Sequence, residues 1–250
     1  MAQETSLDKA LNVLETIGRT GDTRLSALVE ATGYPPATMH RILVVLARRR
    51  YVRQDPATRR YTLGLKCLEL SSRLEDSLAI VAAAKPVMQK LMEATGETAN
   101  LVSFENMEAV YIDQISNTRS LLRMFTRVGA RVPLHSSGVG KAFLATRPRK
   151  EVLSYFRGAK KLRHTQHSLV REDDFFRDLE ATRARGYALD REEFEEGVGC
   201  IAAAITHHGE VVGALSISGP SSRLLGASTG KLAAEVVRSA ADVSKRLAAP

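Results

Sequence analysis

Apolar residues recur at helical spacing from the start of the chain. Leu7, Ala10, Leu11, Leu14 and Ile17 line one face of a helix that Ser6 would cap and that Gly18 and Gly21 would end. A second amphipathic segment over residues 25–32 turns Leu25, Leu28 and Val29 inward, and Gly33 follows where a left-handed turn needs no Cβ. Pro35 and Pro36 open a third helix, whose first turn has no use for their missing N–H groups. Ile42, Leu43, Leu46 and Ala47 form its buried face, which leaves Thr38, His40, Arg41 and Arg48 on the others. Two helices joined by a short glycine-containing turn, the second rich in Arg, Thr and His, make a helix-turn-helix pattern. Period-two alternation then appears at residues 51–53 and 60–63 around a turn-forming stretch, which predicts a hairpin, or wing.

Residues 65–78 return to helical spacing, with Leu65, Leu68, Leu70, Leu74 and Leu78, and the boundary to a second domain is expected near residue 80. Beyond it, helices are predicted at 81–93, 138–145, 149–156, 172–185 and 228–247. Strands are predicted at 98–104, 109–115, 121–126, 131–134, 187–191, 199–206 and 211–218. The fold class is α+β, with a mainly antiparallel sheet flanked by helices. The expected organisation is 1–64 as the winged helix-turn-helix, 65–80 as a linker helix and 81–250 as a second domain.

Charge sharpens the first of these. The chain of 250 residues carries a formal +8, and residues 34–66 hold Arg41, Arg48, Arg49, Arg50, Arg53, Arg59, Arg60 and Lys66 against one acid, Asp55. A localised excess of this kind suits a surface that neutralises phosphates of double-stranded DNA. Thr38, His40 and Arg41 stand where a recognition helix reaches base edges, and Arg41 can pair with a guanine through two hydrogen bonds. Arg48, Arg49, Arg50, Arg53, Arg59 and Arg60 would meet phosphates and set register without reading sequence. A solvated basic module for protein–protein contact is the competing reading.

Several motifs in order resemble the IclR family of bacterial transcriptional regulators, over essentially the whole chain. They are SLDKALNVL at 6–14, the run from Gly33 to Leu46, YTLG at 61–64, PLHSSGVGKA at 133–142, GYALDREE at 186–193, GVGCIAA at 197–203 and SISGP at 216–220. The resemblance implies a winged helix-turn-helix and a linker helix leading to a GAF-like effector domain. It further implies a homodimer or dimer of dimers, and repression or activation of a catabolic operon in response to a small organic or aromatic acid. It places the effector against Leu121, Val132, Gly138, Val139, Asp190, Val198, Cys200, Ser216 and Ser218. Asp190 is an unusual neighbour for an anion: it would take a hydroxyl from the ligand, be protonated, or turn outward. Pro35 and Ala37 replace the small hydroxyl residues usual at the start of the family's recognition helix, so operator preference does not carry over.

The remaining candidates point elsewhere only weakly. Glycines from 138 to 140, between a strand and a helix, let a carboxylate approach free N–H groups, as simple packing would also require. Cys200 lies in an apolar strand with no base marked to activate it, so a cysteine-dependent enzyme acting on a small acid, with Asp190, is the secondary reading. The two cysteines, Cys67 and Cys200, have no metal-type spacing, and no cofactor or metal is expected. His164, His167, His207 and His208 suggest metal only superficially, the last two reading as an exposed hairpin turn. Glu192, Glu193, Glu195 and Glu196 read as a solvated loop. No segment approaches the roughly 20 apolar residues that span a bilayer, and Met1–Lys9 has no apolar run, so a soluble cytoplasmic protein is expected.

Overall fold

The computed structural model describes residues 4–77, 79–105, 107–116, 127–158 and 163–248, and the chain divides into two compact units at residues 77 and 78. In the first unit α1 spans Ser6–Thr20, α2 Leu25–Thr32 and α3 Pro36–Arg48. Helix α1 is capped by Thr5, not Ser6. The Thr5 hydroxyl accepts the Asp8 amide at 3.2 Å, while the Asp8 carboxylate accepts the Thr5 N–H at 2.8 Å. Ser6 has Lys9 three residues on and no such reciprocal acceptor. The buried stripe of α1 is Val13, Thr16 and Ile17, whereas Leu7 and Leu11 are 69% and 49% exposed. The core that α1 meets lies against its C-terminal half, where Leu28, Met39, Leu43, Val52 and Tyr61 gather. Leu7 instead lines a groove with Ile42 and Val45.

Strands β1 (Val52–Gln54) and β2 (Tyr61–Leu63) form the wing, with Gln54 opposite Tyr61, and Thr23 adds one antiparallel bridge to Tyr61. Helix α4 follows over Leu65–Ser77.

The second unit begins with α5 (Ala79–Thr95), then β3 (Thr98–Glu105), β4 (Glu108–Ile115) and β5 (Arg131–Val132). Next come α6 (Gly138–Leu144), α7 (Arg149–Gly158), α8 (Glu172–Arg185), β6 (Ala188–Arg191), β7 (Val198–His207) and β8 (Glu210–Pro220). A short α9 (Ser221–Leu224), which the apolar pattern does not announce, precedes α10 (Thr229–Ala248). The strand expected at 121–126, and Leu121 with it, lies outside the described residues.

The six strands among the described residues of this unit run in the order β5-β4-β3-β8-β7-β6, each antiparallel to its neighbour. Alternation along a strand sends successive side chains to opposite faces. Leu101, Ile201, Leu215 and Ile217 therefore meet α5 and α10, while Val102, Ala202 and Ala214 meet α6, α7 and α8. The sheet is thus buried on both sides, which explains the near-continuous apolar runs in β7 and β8. No described helix is long and apolar enough to cross a membrane.

Candidate functional site

In the first unit the outer side of α3 carries the expected readers. His40 and Arg41 are exposed and Thr38 is half-buried, with the Arg41 guanidinium 3.4 Å from the Thr38 hydroxyl. Pro35 stands at the N-cap and supplies no side-chain acceptor. Past the end of α3, Arg48, Arg49 and Arg50 border a cleft of about 670 Å³ with Lys66 and Glu69. Arg50 adopts a left-handed φ of 64° there, and Gly64 packs on its carbonyl so closely that a Cβ would come within 2.1 Å.

The wing tip is built by Asp55. Its carboxylate accepts the Thr58 and Ala57 amides, each at 2.8 Å, and these bonds hold its pKa below the usual carboxylate value. Arg59 is exposed at this tip. Arg53 donates to the Thr62 hydroxyl at 3.3 Å. Arg60 turns away toward the connection between α1 and α2, donating to the Asp22 carbonyl at 3.1 Å with the Asp22 carboxylate at 3.5 Å.

In the second unit, strand register gathers residues that are far apart in sequence. Asp190 pairs with Cys200, Cys200 with Ser218, and Ser218 with Thr98, in one row across β6, β7, β8 and β3. The next row runs from Ala202 through Ser216 and Asn100 to Gln114. Asn100 donates to the Ser218 hydroxyl at 3.1 Å and accepts from the Gln114 amide at 3.0 Å. Gly138, at the start of α6, approaches this face closely: a Cβ there would stand 2.9 Å from Cys200 Sγ. Ser137 caps α6, accepting the Gly140 amide at 3.1 Å and donating to the Pro133 carbonyl at 2.6 Å. The Ser136 hydroxyl beside it is buried without a hydrogen-bond partner among the described residues.

Of the expected effector residues, Gly138, Asp190, Cys200, Ser216 and Ser218 therefore converge on one polar floor. Val139 is buried in α6, and Val198 is half-buried at the start of β7. Val132, on edge strand β5, lines a cleft of about 440 Å³ with His135, Tyr155, His164 and Phe194. Asn100, Gln114 and Tyr111 belong to the floor but have no local sequence signal. They come to it only through strand pairing.

Asp190 faces inward, being 5% exposed, and its carboxylate accepts the Glu193 amide at 2.7 Å. Burial, reinforced by the Glu193 carboxylate, raises its pKa to about 7, against the opposing pull of Lys141 and the Glu193 and Phe194 amides. Burial also pushes the Cys200 thiol up to about 12, with Asp190 adding to the effect. A thiol so rarely ionised is a poor nucleophile. Tyr111 is raised likewise, first by burial and then by Cys200 and Asp190.

The acidic stretch after β6 corrects the expectation of a solvated loop. Glu193 is 2% exposed and forms a close ion pair with Lys141, itself fully buried. Lys141 also reaches Asp178 at 2.8 Å. Burial works to raise Asp178, yet Lys141, Arg185 and Arg191 outweigh it and leave its pKa lowered. His208 is exposed, but His207 is only half-buried, with Nδ1 enclosed and unpartnered among the described residues. No cluster of three or more metal-ligating side chains occurs among the described residues.

Comparison with known proteins places these features. Residues 6–56 match the IclR helix-turn-helix domain, and residues 73–245 match the bacterial transcriptional regulator IclR C-terminal domain. The acetate operon repressor of Salmonella typhimurium is 35% identical over 97% of this chain and 89% of its own length. Transcriptional repressor IclR of Escherichia coli is 34% identical over the same shares. The crystal structure of Thermotoga maritima IclR superimposes with a TM-score of 0.79 at 30% identity, covering 97% of this chain and 98% of that one. An IclR homolog from Microbacterium hydrocarbonoxydans, solved in complex with 4-hydroxybenzoate, shares the fold at a TM-score of 0.83 and 24% identity, covering 98% and 100% of the two chains. These relatives are regulators and not enzymes.

Proposed function

The chain belongs to the IclR family of bacterial transcriptional regulators, and from that premise we propose that it controls a catabolic operon in response to a small carboxylic acid. The observation that carries the effector reading is the polar floor of Ser216, Ser218, Cys200 and Asp190 under Gly138, enclosed by the apolar walls of the same face. Apolar walls with a few convergent polar groups are the usual composition of a small-ligand site. Serine hydroxyls and the amide-rich turn at Ser136 and Ser137 suit a carboxylate.

The protein acts in the cytoplasm as a homodimer or dimer of dimers, whose recognition helices take successive half-sites of a double-stranded operator. Arg41, His40 and Thr38 read bases, while Arg48, Arg49, Arg53 and Arg59 meet phosphates. Helix α4, over Leu65–Ser77, serves as the linker between reading head and sensor. Effector and operator are then coupled by about 1–3 kcal/mol, and reciprocally, so bound operator changes effector affinity by the same factor.

The test joins two measurements on the full-length protein. A thermal-shift screen of small aliphatic and aromatic acids identifies compounds that raise the melting temperature. Titration of each hit with and without a fragment of the upstream region measures the coupling. An effector affinity indifferent to bound operator would rule the switch out.

A further inference from the structure

Asp190 presents a problem of charge. An anionic effector is expected on a floor that contains a buried carboxyl group, and among the described residues no lysine or arginine pairs with that carboxyl. Each neighbouring element supplies its own titratable groups. Strand β4 brings Tyr111 and β7 brings Cys200, both neutral; the turn after β6 brings Glu193, and α6 brings Lys141. Lys141 is already shared between Glu193 and Asp178, the latter on α8 and also facing Arg185 and Arg191. Among the described residues, the one buried cation near the floor is therefore already occupied by two carboxylates.

We propose that Asp190 meets the effector's carboxylate as a neutral carboxyl group and donates its O–H to it, so that the site takes up a monocarboxylate together with one proton. The inference rests on the carboxylic-acid reading above and adds how the charge is accommodated. The Glu193 amide donates to Oδ1 of Asp190 and the Phe194 amide also donates to the group, which orients it, while the protonated carboxyl keeps one O–H to give. A carboxyl held in an enclosed, low-dielectric setting without a cation stays protonated to higher pH, and the raised value near 7 agrees. In the bound state the proton sits between two carboxyl groups, drawn from solvent when the free protein has lost it. No covalent bond to carbon forms or breaks. Among the described residues a second carboxylate on the effector would find neither a proton nor a free cation, so dicarboxylates are expected not to bind.

Two measurements on the full-length protein test this. The first needs no ligand: infrared spectra of protein labelled with carbon-13 at aspartate carboxyls, at about pH 6 and about pH 9. A carboxylic-acid band at the lower pH that is lost at the higher pH and absent from Asp190→Asn supports the proposal. Identical spectra for wild type and Asp190→Asn would overturn it, whatever the ligand.

The second is calorimetric titration with acetate, benzoate, malonate and phthalate in two buffers of different ionisation enthalpy. The expected result is uptake of up to one proton per bound acetate or benzoate. Affinity should fall about tenfold per pH unit above the Asp190 midpoint, without measurable binding of malonate or phthalate. Asp190→Asn, which keeps a donor that cannot ionise, should bind with pH-independent affinity. Monocarboxylate binding without proton uptake, or dicarboxylates bound as tightly, would overturn the proposal. Failure of all four acids to bind while the infrared band is present would fall on the carboxylic-acid reading and leave the neutral Asp190 established.

Discussion

Gly138 and Cys200 are separated by the whole of α6, α7, α8 and β6, yet a Cβ on the glycine would stand 2.9 Å from the cysteine sulfur. The start of α6 is thereby seated directly on the sheet face that carries Asp190, Ser216 and Ser218. Gly138→Ala should force α6 off this floor, destabilising the protein by about 1–3 kcal/mol and weakening effector binding together. Adding Cys200→Ala removes the nearest atom and should recover much of the loss. A double-mutant cycle by urea denaturation measures the interaction, and additive effects would show that the two residues do not share this contact.

Lys141 is enclosed with Glu193 and Asp178, and removing it leaves Glu193 buried without its cation, while Asp178 keeps Arg185 and Arg191. Lys141→Met should cost about 3–5 kcal/mol, measured as a shift of the denaturation midpoint. Glu193→Gln in that background should restore part of the stability, because one unpaired charge is removed. The same change alone should destabilise.

For Asp190 the sign of the pH effect follows from a folded-state pKa of about 7 against an ordinary value of 3.8. Below the ordinary value both folded and unfolded chains hold the proton, and the buried group carries no penalty. As pH rises toward 7 the unfolded chain gains by ionising while the folded chain does not, so stability is lost across that window and levels off above it. Asp190→Asn should therefore stabilise the unliganded protein near neutral pH, by at most on the order of 4 kcal/mol, with the difference vanishing toward about pH 4. Denaturation curves at several pH values check both size and direction.

The basic surface of the first unit should separate into three behaviours. Arg41→Ala should cost about 1–3 kcal/mol of operator binding and relax specificity. Arg59→Ala should weaken all sequences alike and reduce the salt slope by about one. Arg60→Ala should do less to DNA affinity than Arg59→Ala, because its guanidinium is already engaged by Asp22. Fluorescence anisotropy against specific and scrambled duplexes across a salt series resolves the three.

The existence and type of most elements were legible along the chain. Helical spacing located α2, α3 and α8, alternation located the wing and β3, and the arginines between residues 41 and 60 marked the basic surface proposed to meet DNA. The errors have local physical causes. Thr5 takes the cap from Ser6 because Asp8 lies three residues ahead of it. Leu7 and Leu11 repeat at the correct spacing but extend beyond the part of α1 that the core meets.

What the sequence by itself determined is what neighbouring residues decide among themselves: which segments form helices or strands, which side of each is apolar, and where charge accumulates. The family motifs added which residues are expected to meet an effector. Tertiary structure alone decided what those residues meet. Asn100 reaches Ser218 from 118 positions away, and Lys141 reaches Glu193 from 52. A glutamate in an acidic run looks solvated until a distant lysine is buried against it, and Asp190 has no direction until β6 pairs with β7. Those outcomes depend on strand register and helix seating, which a periodic pattern restricts but does not specify, and they determine whether the floor beneath Gly138 carries a charge or a proton.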